Sequence, residues 1–174
     1  RSHGYRRPMA RVRHERSAGG VLLVPVGDHI LVPLITVPES EVVGLPKGRI
    51  EDGEGAAEAA VREMREEAGL TGLVLEPLGT ISYRFWARAE RSRINKSVDF
   101  FLMLYRAGSP ARFEQAEVDN VQLVPLGEAE SLITHDGEKA IIRAAKRRVR
   151  DLSADGFLAV RDPGARDRLI AAVA

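Results

Sequence analysis

The sequence contains no cysteine, few aromatic residues and no clear excess of either charge. The absence of cysteine among 174 residues excludes disulfides and thiolate metal ligands, and it fits a reducing compartment such as the cytoplasm. Aromatic residues make up 5% of the chain, and 26 basic residues against 25 acidic ones give a net charge of +1. Bulk charge therefore does not indicate a nucleic-acid or membrane-surface protein. No apolar run approaches the roughly 20 residues that a membrane-spanning helix needs. We expect a soluble, cytoplasmic protein.

The residues that are present suffice for one domain. Hydrophobic residues form 44% of the chain, enough for a sizeable core. Residues 1–16 carry six arginines and little apolar surface, which predicts a solvated basic tail, with phosphate or nucleic-acid contact as the alternative. The remaining pattern predicts a domain over residues 17–150 and a C-terminal extension over residues 151–174.

Strand and helix patterns alternate along the chain. Two apolar runs flank a turn at Gly27 and Asp28 and predict a hairpin. Further strands are expected in 73–87, 96–107 and 120–126, with the arginine-rich segment 88–95 joining the first two. Helical patterns follow in 127–133 and 137–152. This order predicts an α/β fold with helices flanking a mixed sheet.

One helix stands out because acids cluster on it. Helix formers run from Ala56 up to Gly69, a residue suited to a left-handed C-cap. Its apolar residues share one stripe, which we expect to be buried: Ala57, Ala60, Val61, Met64 and Ala68.

Glu63, Glu66 and Glu67 project from another face of this helix, where like charges at such spacing repel. One interpretation is an exposed helix on which Arg62 and Arg65 neutralise the acids. The other is a site for a hard divalent cation such as Mg²⁺, which binds carboxylate oxygens. The small side chains of Ala56 and Ala59 near these acids would leave room for ligands, which favours the metal site.

Residues 48–70, GRIEDGEGAAEAAVREMREEAGL, resemble the signature of the Nudix hydrolases. The pattern is glycine, five residues, glutamate, seven residues, then Arg-Glu-aliphatic-any-Glu-Glu-any-Gly-aliphatic. Every specified position matches, with these fixed letters: Gly48, Glu54, Arg62, Glu63, Glu66, Glu67 and Gly69. The resemblance implies a Nudix fold, an α/β/α sandwich with a mixed central sheet.

The resemblance also implies residue roles. Nudix hydrolases use a divalent metal and water to split a phosphoanhydride. By resemblance, Glu63, Glu66 and Glu67 are metal ligands, and Gly48 contributes backbone geometry or a carbonyl ligand. Glu66 or Glu67 also orients or deprotonates the attacking water. Arg62 is expected to pair with Glu54 and to orient Glu63. The implied cofactor is Mg²⁺, for which Mn²⁺ would substitute.

A further catalytic acid is expected beyond the signature. Relatives often carry Glu-x-x-Glu before a strand, whereas this chain has Glu117 and then Asn120. Glu117 is therefore the first candidate for the outlying acid and Asp119 the second, with surface solvation as the alternative for both.

Substrate contacts are expected from the segment before the signature and from the basic hairpin. The LPKG stretch resembles that of dinucleoside polyphosphate hydrolases and contains Lys47. In the hairpin, Tyr83, Arg84 and Lys96 combine an aromatic ring with cations, which suits a base and a polyphosphate. The alternative is a hairpin with a solvated loop.

We therefore expect a metal-dependent pyrophosphohydrolase acting on a small-molecule nucleotide, with diadenosine polyphosphates slightly favoured. Ordinary or oxidised nucleoside triphosphates are the first alternative, and a non-catalytic nucleotide-binding Nudix module is the second. RNA caps and diphosphoinositol polyphosphates are left open, as is a homodimer. Neither a membrane nor a nucleic acid is expected as a partner.

Overall fold

The computed structural model describes residues 11–110 and 120–154. Seven strands occur in these ranges: β1 Val12–Val26, β2 His29–Thr36, β3 Val43–Gly44, β4 Lys47–Arg49, β5 Leu70–Ala87, β6 Ser92–Gly108 and β7 Asn120–Pro125. Three helices accompany them: α1 Ala56–Ala68, α2 Leu126–Leu132 and α3 Asp136–Ala154. Within the described ranges, no helix is both long and apolar enough to cross a bilayer.

The long strand β1 organises a mixed sheet. The strand order in the described part of the chain is β3-β2-β1-β6-β5, with β4 paired to β1 and β7 paired to β2. β1 pairs in parallel with β6, from Val12 opposite Arg93 to Leu23 opposite Leu104. β1 and β2 form the expected antiparallel hairpin, and Gly27 takes the left-handed conformation that its turn requires, with φ of 59°.

Successive side chains of the sheet pack alternately into two hydrophobic cores, one on each face. Val21 and Leu23 belong to a cluster that contains Ile142 of α3, whereas Leu22 lies in a cluster with Met64 of α1. This alternation follows from the two-residue period of a strand. Helix α1 therefore covers one face, here called the α1 face, and α3 covers the other, here called the α3 face. The predicted α/β/α sandwich with a mixed central sheet is confirmed.

Two predicted segments are longer strands than expected. β1 begins at Val12, so residues 12–16 of the predicted tail are strand, because they pair with β6. Their side chains are mostly exposed, as expected for a solvated segment. β6 begins at Ser92, so residues 92–95, half of the predicted joining segment, belong to the ladder with β5. Residues 1–10 and 155–174 lie outside the described residues.

Candidate functional site

The site begins with the close packing of α1 on the sheet. Gly55 caps the start of the helix, and Gly69 ends it with φ of 71°, the left-handed C-cap that the sequence predicts. Ala59 and Ala60 are fully buried and pack against Ala18 of β1. The expectation that small residues on this face leave room for ligands is therefore wrong for Ala59, whose size instead lets the helix approach the sheet.

Glu63 lies directly against Gly48 of β4. A Cβ atom at position 48 would stand 2.1 Å from the carboxyl carbon of Glu63, which is far inside contact distance. Glu63 is 6% exposed and therefore belongs to the buried side of α1, as does Glu67, which is 8% exposed. The predicted burial is confirmed for Ala60, Met64 and Ala68 of the apolar stripe. The prediction did not include Glu63 and Glu67 among the buried residues of α1.

Glu67 contacts the same short strand through hydrogen bonding. The amide of Lys47 donates to Oε2 of Glu67 over 2.8 Å. Glu66 is more open, with a side chain 23% exposed. The three acids of the helix therefore lie beside β4, with Glu63 and Glu67 against its backbone.

The guanidinium group of Arg62 donates hydrogen bonds to Glu54, Glu63 and Glu66. Its Nε and Nη2 donate to the two oxygens of Glu54 over 2.8 and 3.0 Å, the pairing that the resemblance implies. Its Nη1 donates to Glu63 over 2.7 Å and to Glu66 over 3.0 Å, and Nη2 also reaches the carbonyl of Arg49 over 2.8 Å. Arg65 does not share this role in any contact that the structure shows, so Arg62 is the observed neutralising partner.

This network perturbs the protonation of its members. Hydrogen bonds from Arg62 and from the backbone amide of Glu51 lower the pKa of Glu54 from 4.5 to about 2. The same carboxylates raise the pKa of Arg62, led by the hydrogen bond to Glu54. Both groups are therefore charged across the whole physiological range.

The donors beside β4 are all oxygens, which suits a hard divalent cation. Within residues 11–110 and 120–154, no group of three acidic or histidine side chains is arranged to hold a metal ion in the geometry observed. Two of the acids instead share Nη1 of Arg62. The close approach of Glu63 to Gly48 concentrates carboxylate oxygen against the backbone, so the donor chemistry fits the cation. Glu117 and Asp119 lie outside the described residues.

A cavity of about 580 Å³ opens on the α3 face beside β4. It brings together Lys47, Tyr83 and Lys96, three of the four predicted substrate contacts. The Lys96 ammonium lies 5.9 Å from the centre of the Tyr83 ring. Partial burial raises the pKa of the Tyr83 phenol, so this group stays neutral near pH 7. Apolar residues, Ser82 and residues at or just before the start of α3 complete the lining: Val37, Val42, Ile81, Ser82, His135, Gly137 and Glu138.

Arg84, the fourth predicted contact, belongs to the opposite face of the hairpin. Consecutive residues of a strand point to opposite faces, so Arg84 shares the α1 face with Thr80, whose hydroxyl bonds Asp99 over 2.7 Å. It lines a second cavity of about 450 Å³ with Arg16 and Asn95, and Tyr83 and Lys96 line this cavity as well. The four predicted contacts therefore surround two adjoining cavities: Tyr83 and Lys96 line both, Lys47 lines the larger one and Arg84 the smaller one.

Glu138 is a site residue that the sequence interpretation missed. It lines the larger cavity, is 2% exposed, and lies 3.5 Å from the ammonium of Lys47. A signal was present, because Glu138 stands three and four residues before Ile141 and Ile142, on the buried stripe of α3. An acid in line with buried apolar residues needs a partner, and such acids concentrate at functional sites.

Comparison with known proteins finds relatives of similar sequence. The "Putative mutator protein MutT4" of Mycobacterium tuberculosis is 35% identical over 164 residues, which cover 90% of this chain and 65% of that protein. The "8-oxo-(d)GTP phosphatase" of Mycolicibacterium smegmatis is 28% identical over 149 residues, covering 76% of this chain and 42% of that protein. This chain therefore spans less than two thirds of the length of either relative.

Two solved structures show the same fold. The binary complex of the C. elegans Ap4A hydrolase has a TM-score of 0.56 at 19% identity, covering 79% of this chain and 98% of that one. The NUDIX domain of Shewanella oneidensis NrtR complexed with ADP ribose has a TM-score of 0.61 at 21% identity, covering 83% and 94%. A NUDIX domain model matches residues 13–150. Because that match spans most of the sequence, this chain belongs to the NUDIX family.

Proposed function

We propose that this chain is a metal-dependent pyrophosphohydrolase that cleaves a phosphoanhydride bond of nucleoside polyphosphates. The observation that carries the proposal is the set of Glu63, Glu66 and Glu67 beside β4, with Glu63 lying where only glycine at position 48 permits it. The intact set favours an enzyme over a binding module, because a protein that only binds nucleotide has no need of all three acids.

The acids have distinct roles in this proposal. Glu63, Glu66 and Glu67 would hold Mg²⁺, or Mn²⁺ in its place, together with the backbone at Gly48. The bound cation supplies neutralisation of phosphate charge and activation of a water molecule. Glu66 or Glu67 orients that water or takes its proton, and Glu66 is the more open of the two.

Arg62 and Glu54 form the support of the cluster. The bidentate contact between them fixes the guanidinium plane, which in turn places Glu63 and Glu66 through its Nη1. Arg62 therefore neutralises the acids when they hold no cation. A cation would take over part of that charge balance while Glu54 keeps Arg62 in place.

The cavity on the α3 face is proposed to take one nucleoside. Tyr83 is 41% exposed and offers a ring for stacking, and Lys47 and Lys96 offer ammonium groups to phosphates. Arg84 lies on the α1 face, so we assign it to a part of the polyphosphate that is farther from this nucleoside. The outlying acid, with Glu117 proposed first, completes the set.

Diadenosine polyphosphates are the first proposed substrates, because cations on both faces of the hairpin suit a ligand longer than one nucleotide. Oxidised nucleoside triphosphates are the second candidate. That alternative is supported by the 8-oxo-(d)GTP phosphatase relative, which is 28% identical over 149 residues. The acidic helix contacts only groups that both substrate classes share, so it does not discriminate between them.

Product analysis on a nucleotide panel tests the proposal. The panel contains diadenosine tetraphosphate, ATP, dGTP and 8-oxo-dGTP, each with Mg²⁺, with Mn²⁺ and with EDTA. We expect turnover that needs either cation and that EDTA abolishes without unfolding the protein, because two apolar cores hold the fold without the cation. Tight binding with no turnover on any nucleotide would replace the proposal by the non-catalytic module.

A further inference from the structure

The segment from Gly44 to Gly48 is held between two carboxylates from opposite faces of the sheet. The amide of Leu45 donates to Oε1 of Glu138 on α3 over 2.7 Å. The amide of Lys47, two residues later, donates to Oε2 of Glu67 on α1 over 2.8 Å. The segment from Gly44 to Gly48 is thus fixed by one acid of the signature and by one acid outside it.

Glu138 is built into this position. Its side chain is 2% exposed, and a Cβ atom at position 44 would stand 2.8 Å from its Oε1, so Gly44 makes room for it. A buried carboxylate is unfavourable unless it is paired and hydrogen-bonded. The ammonium of Lys47 at 3.5 Å and the amide of Leu45 provide the pair and the bond.

The residues just before α3 add a second attachment. The amide of Val43 donates to the hydroxyl of Thr134 over 2.9 Å, and the amide of Thr134 donates back to the carbonyl of Val43 over 2.9 Å. Thr134 therefore holds Val43 through two hydrogen bonds. Glu138 holds Leu45 through a hydrogen bond and the Lys47 side chain through an ion pair.

Lys47 connects the two sides. Its amide bonds Glu67 among the proposed metal ligands, while its ammonium faces Glu138 in the proposed nucleoside cavity. A shift of this residue would therefore change both places at once. A charge-assisted hydrogen bond holds one end of the connection, and an ion pair at 3.5 Å holds the other.

We infer that Glu138 is a positioning residue that fixes the backbone of the proposed metal site and couples it to the nucleoside cavity. The inference rests on the proposed function for the identity of the two ligands, but the contacts that carry it are independent of any substrate. Glu138 acts through Leu45 and Lys47 rather than on the reacting atoms.

The direct test is amide hydrogen exchange of Leu45, measured by NMR in the wild-type protein and in Glu138→Gln and Glu138→Ala. The amide of Leu22 in the core provides an internal reference. We expect Leu45 to exchange about tenfold faster in Glu138→Ala relative to Leu22, with Glu138→Gln between, because a neutral amide oxygen still accepts the bond. Equal acceleration at both amides would show a purely structural role and overturn the inference.

Mn²⁺ binding provides the second readout and needs no substrate. We expect the Mn²⁺ dissociation constant, measured by calorimetry, to rise at least about fivefold in Glu138→Ala, because the backbone beside Gly48 loses one of its two anchors. Glu130→Gln is the matched control, since Glu130 is an acid of α2 that pairs with Arg143 and Lys146 away from the cavity. An unchanged Mn²⁺ affinity in both Glu138 variants would refute the inference.

Kinetics separate this inference from the proposed function. If the wild-type protein turns over a nucleotide, we expect Glu138→Gln to lower kcat about tenfold. In a Lys47→Met background the same substitution is expected to change kcat less than about twofold, because the two side chains act as a unit. Fully additive effects would contradict the coupling. A wild-type protein without turnover would refute the proposed function, while exchange and Mn²⁺ binding would still decide the role of Glu138.

Discussion

The carboxyl carbon of Glu63 lies 2.1 Å from the point where a side chain at position 48 would begin. A side chain at position 48 would therefore overlap the Glu63 carboxylate. Glu63 reaches the backbone of β4 only because residue 48 has no Cβ. This relationship explains in physical terms why the signature begins with glycine fifteen residues before its first clustered glutamate.

Gly48→Ala is expected to displace Glu63 from β4 and to lower kcat at least tenfold. The inserted methyl group also overpacks the contact, so we expect a loss of about 1–3 kcal/mol in the free energy of unfolding. Gly127→Ala is the matched control, because nothing lies within 4 Å of a Cβ atom at that position of α2. Activity and urea unfolding of the two variants check this, and equal behaviour would contradict the close contact.

Glu66→Gln and Glu67→Gln are each expected to lower kcat at least about 100-fold, because each removes a charge from the proposed metal cluster but keeps its shape. Glu67→Gln should also weaken the bond to the Lys47 amide, so it is expected to be the less stable of the two. Glu58→Gln changes an exposed acid on the first turn of the same helix and should leave kcat unchanged. Steady-state kinetics with Mg²⁺ measure all three, and near wild-type rates in both signature variants would remove these acids from the site.

The local parts of this site could be predicted from the sequence. The helix from Ala56 to Ala68 and its glycine cap follow from spacing within a few residues of one another, whereas the burial of Glu63 and Glu67 beside Met64 does not. The pairing of Arg62 with Glu54 comes with the signature itself.

The remaining parts depend on contacts between distant segments. Glu138 reaches Leu45 across 93 residues of sequence, and no local pattern encodes that approach. The pairing of Tyr83 with Lys96 depends on the register that sets these two residues opposite each other in the β5–β6 ladder. The burial of Ala59 against Ala18 likewise depends on how closely α1 docks on the sheet.

The contact between Glu54 and Arg62 predicts an acid dependence of stability. The pKa of Glu54 in the folded protein is lowered to about 2 from an ordinary value of 4.5. A carboxylate with a depressed folded pKa stabilises the fold above its unfolded pKa, and this contribution is lost as the pH falls through the folded pKa. The stability difference between the wild-type protein and Glu54→Gln should therefore be full above pH 4.5 and shrink toward pH 2.

Thermal unfolding of both proteins across this pH range provides the measurement. Other carboxylates also titrate there, but they are common to the two proteins and cancel in the difference. A difference in melting temperature that does not change with pH would show that Glu54 carries no special contact with Arg62.

The two faces of the β5–β6 hairpin predict two different substitution effects. Lys96 and Tyr83 line the cavity proposed for one nucleoside, so Lys96→Ala is expected to raise KM about tenfold for ATP and for diadenosine tetraphosphate alike. Arg84 lines the second cavity, which Tyr83 and Lys96 also line but Lys47 does not, so Arg84→Ala should raise KM about tenfold for diadenosine tetraphosphate and less for ATP. Tyr83→Ala should weaken binding of both nucleotides through the lost stacking surface.

Arg106→Ala provides the control for the loss of an exposed arginine, because Arg106 lies at the far end of β6, away from both cavities. Since a contact made equally in the ground and transition states appears in KM, kcat should change little in the three hairpin variants. Unchanged KM values for both nucleotides in all three would identify the hairpin as a solvated surface. An equal rise of the KM for ATP in Arg84→Ala and Lys96→Ala would show that Arg84 and Lys96 do not bind different parts of the nucleotide.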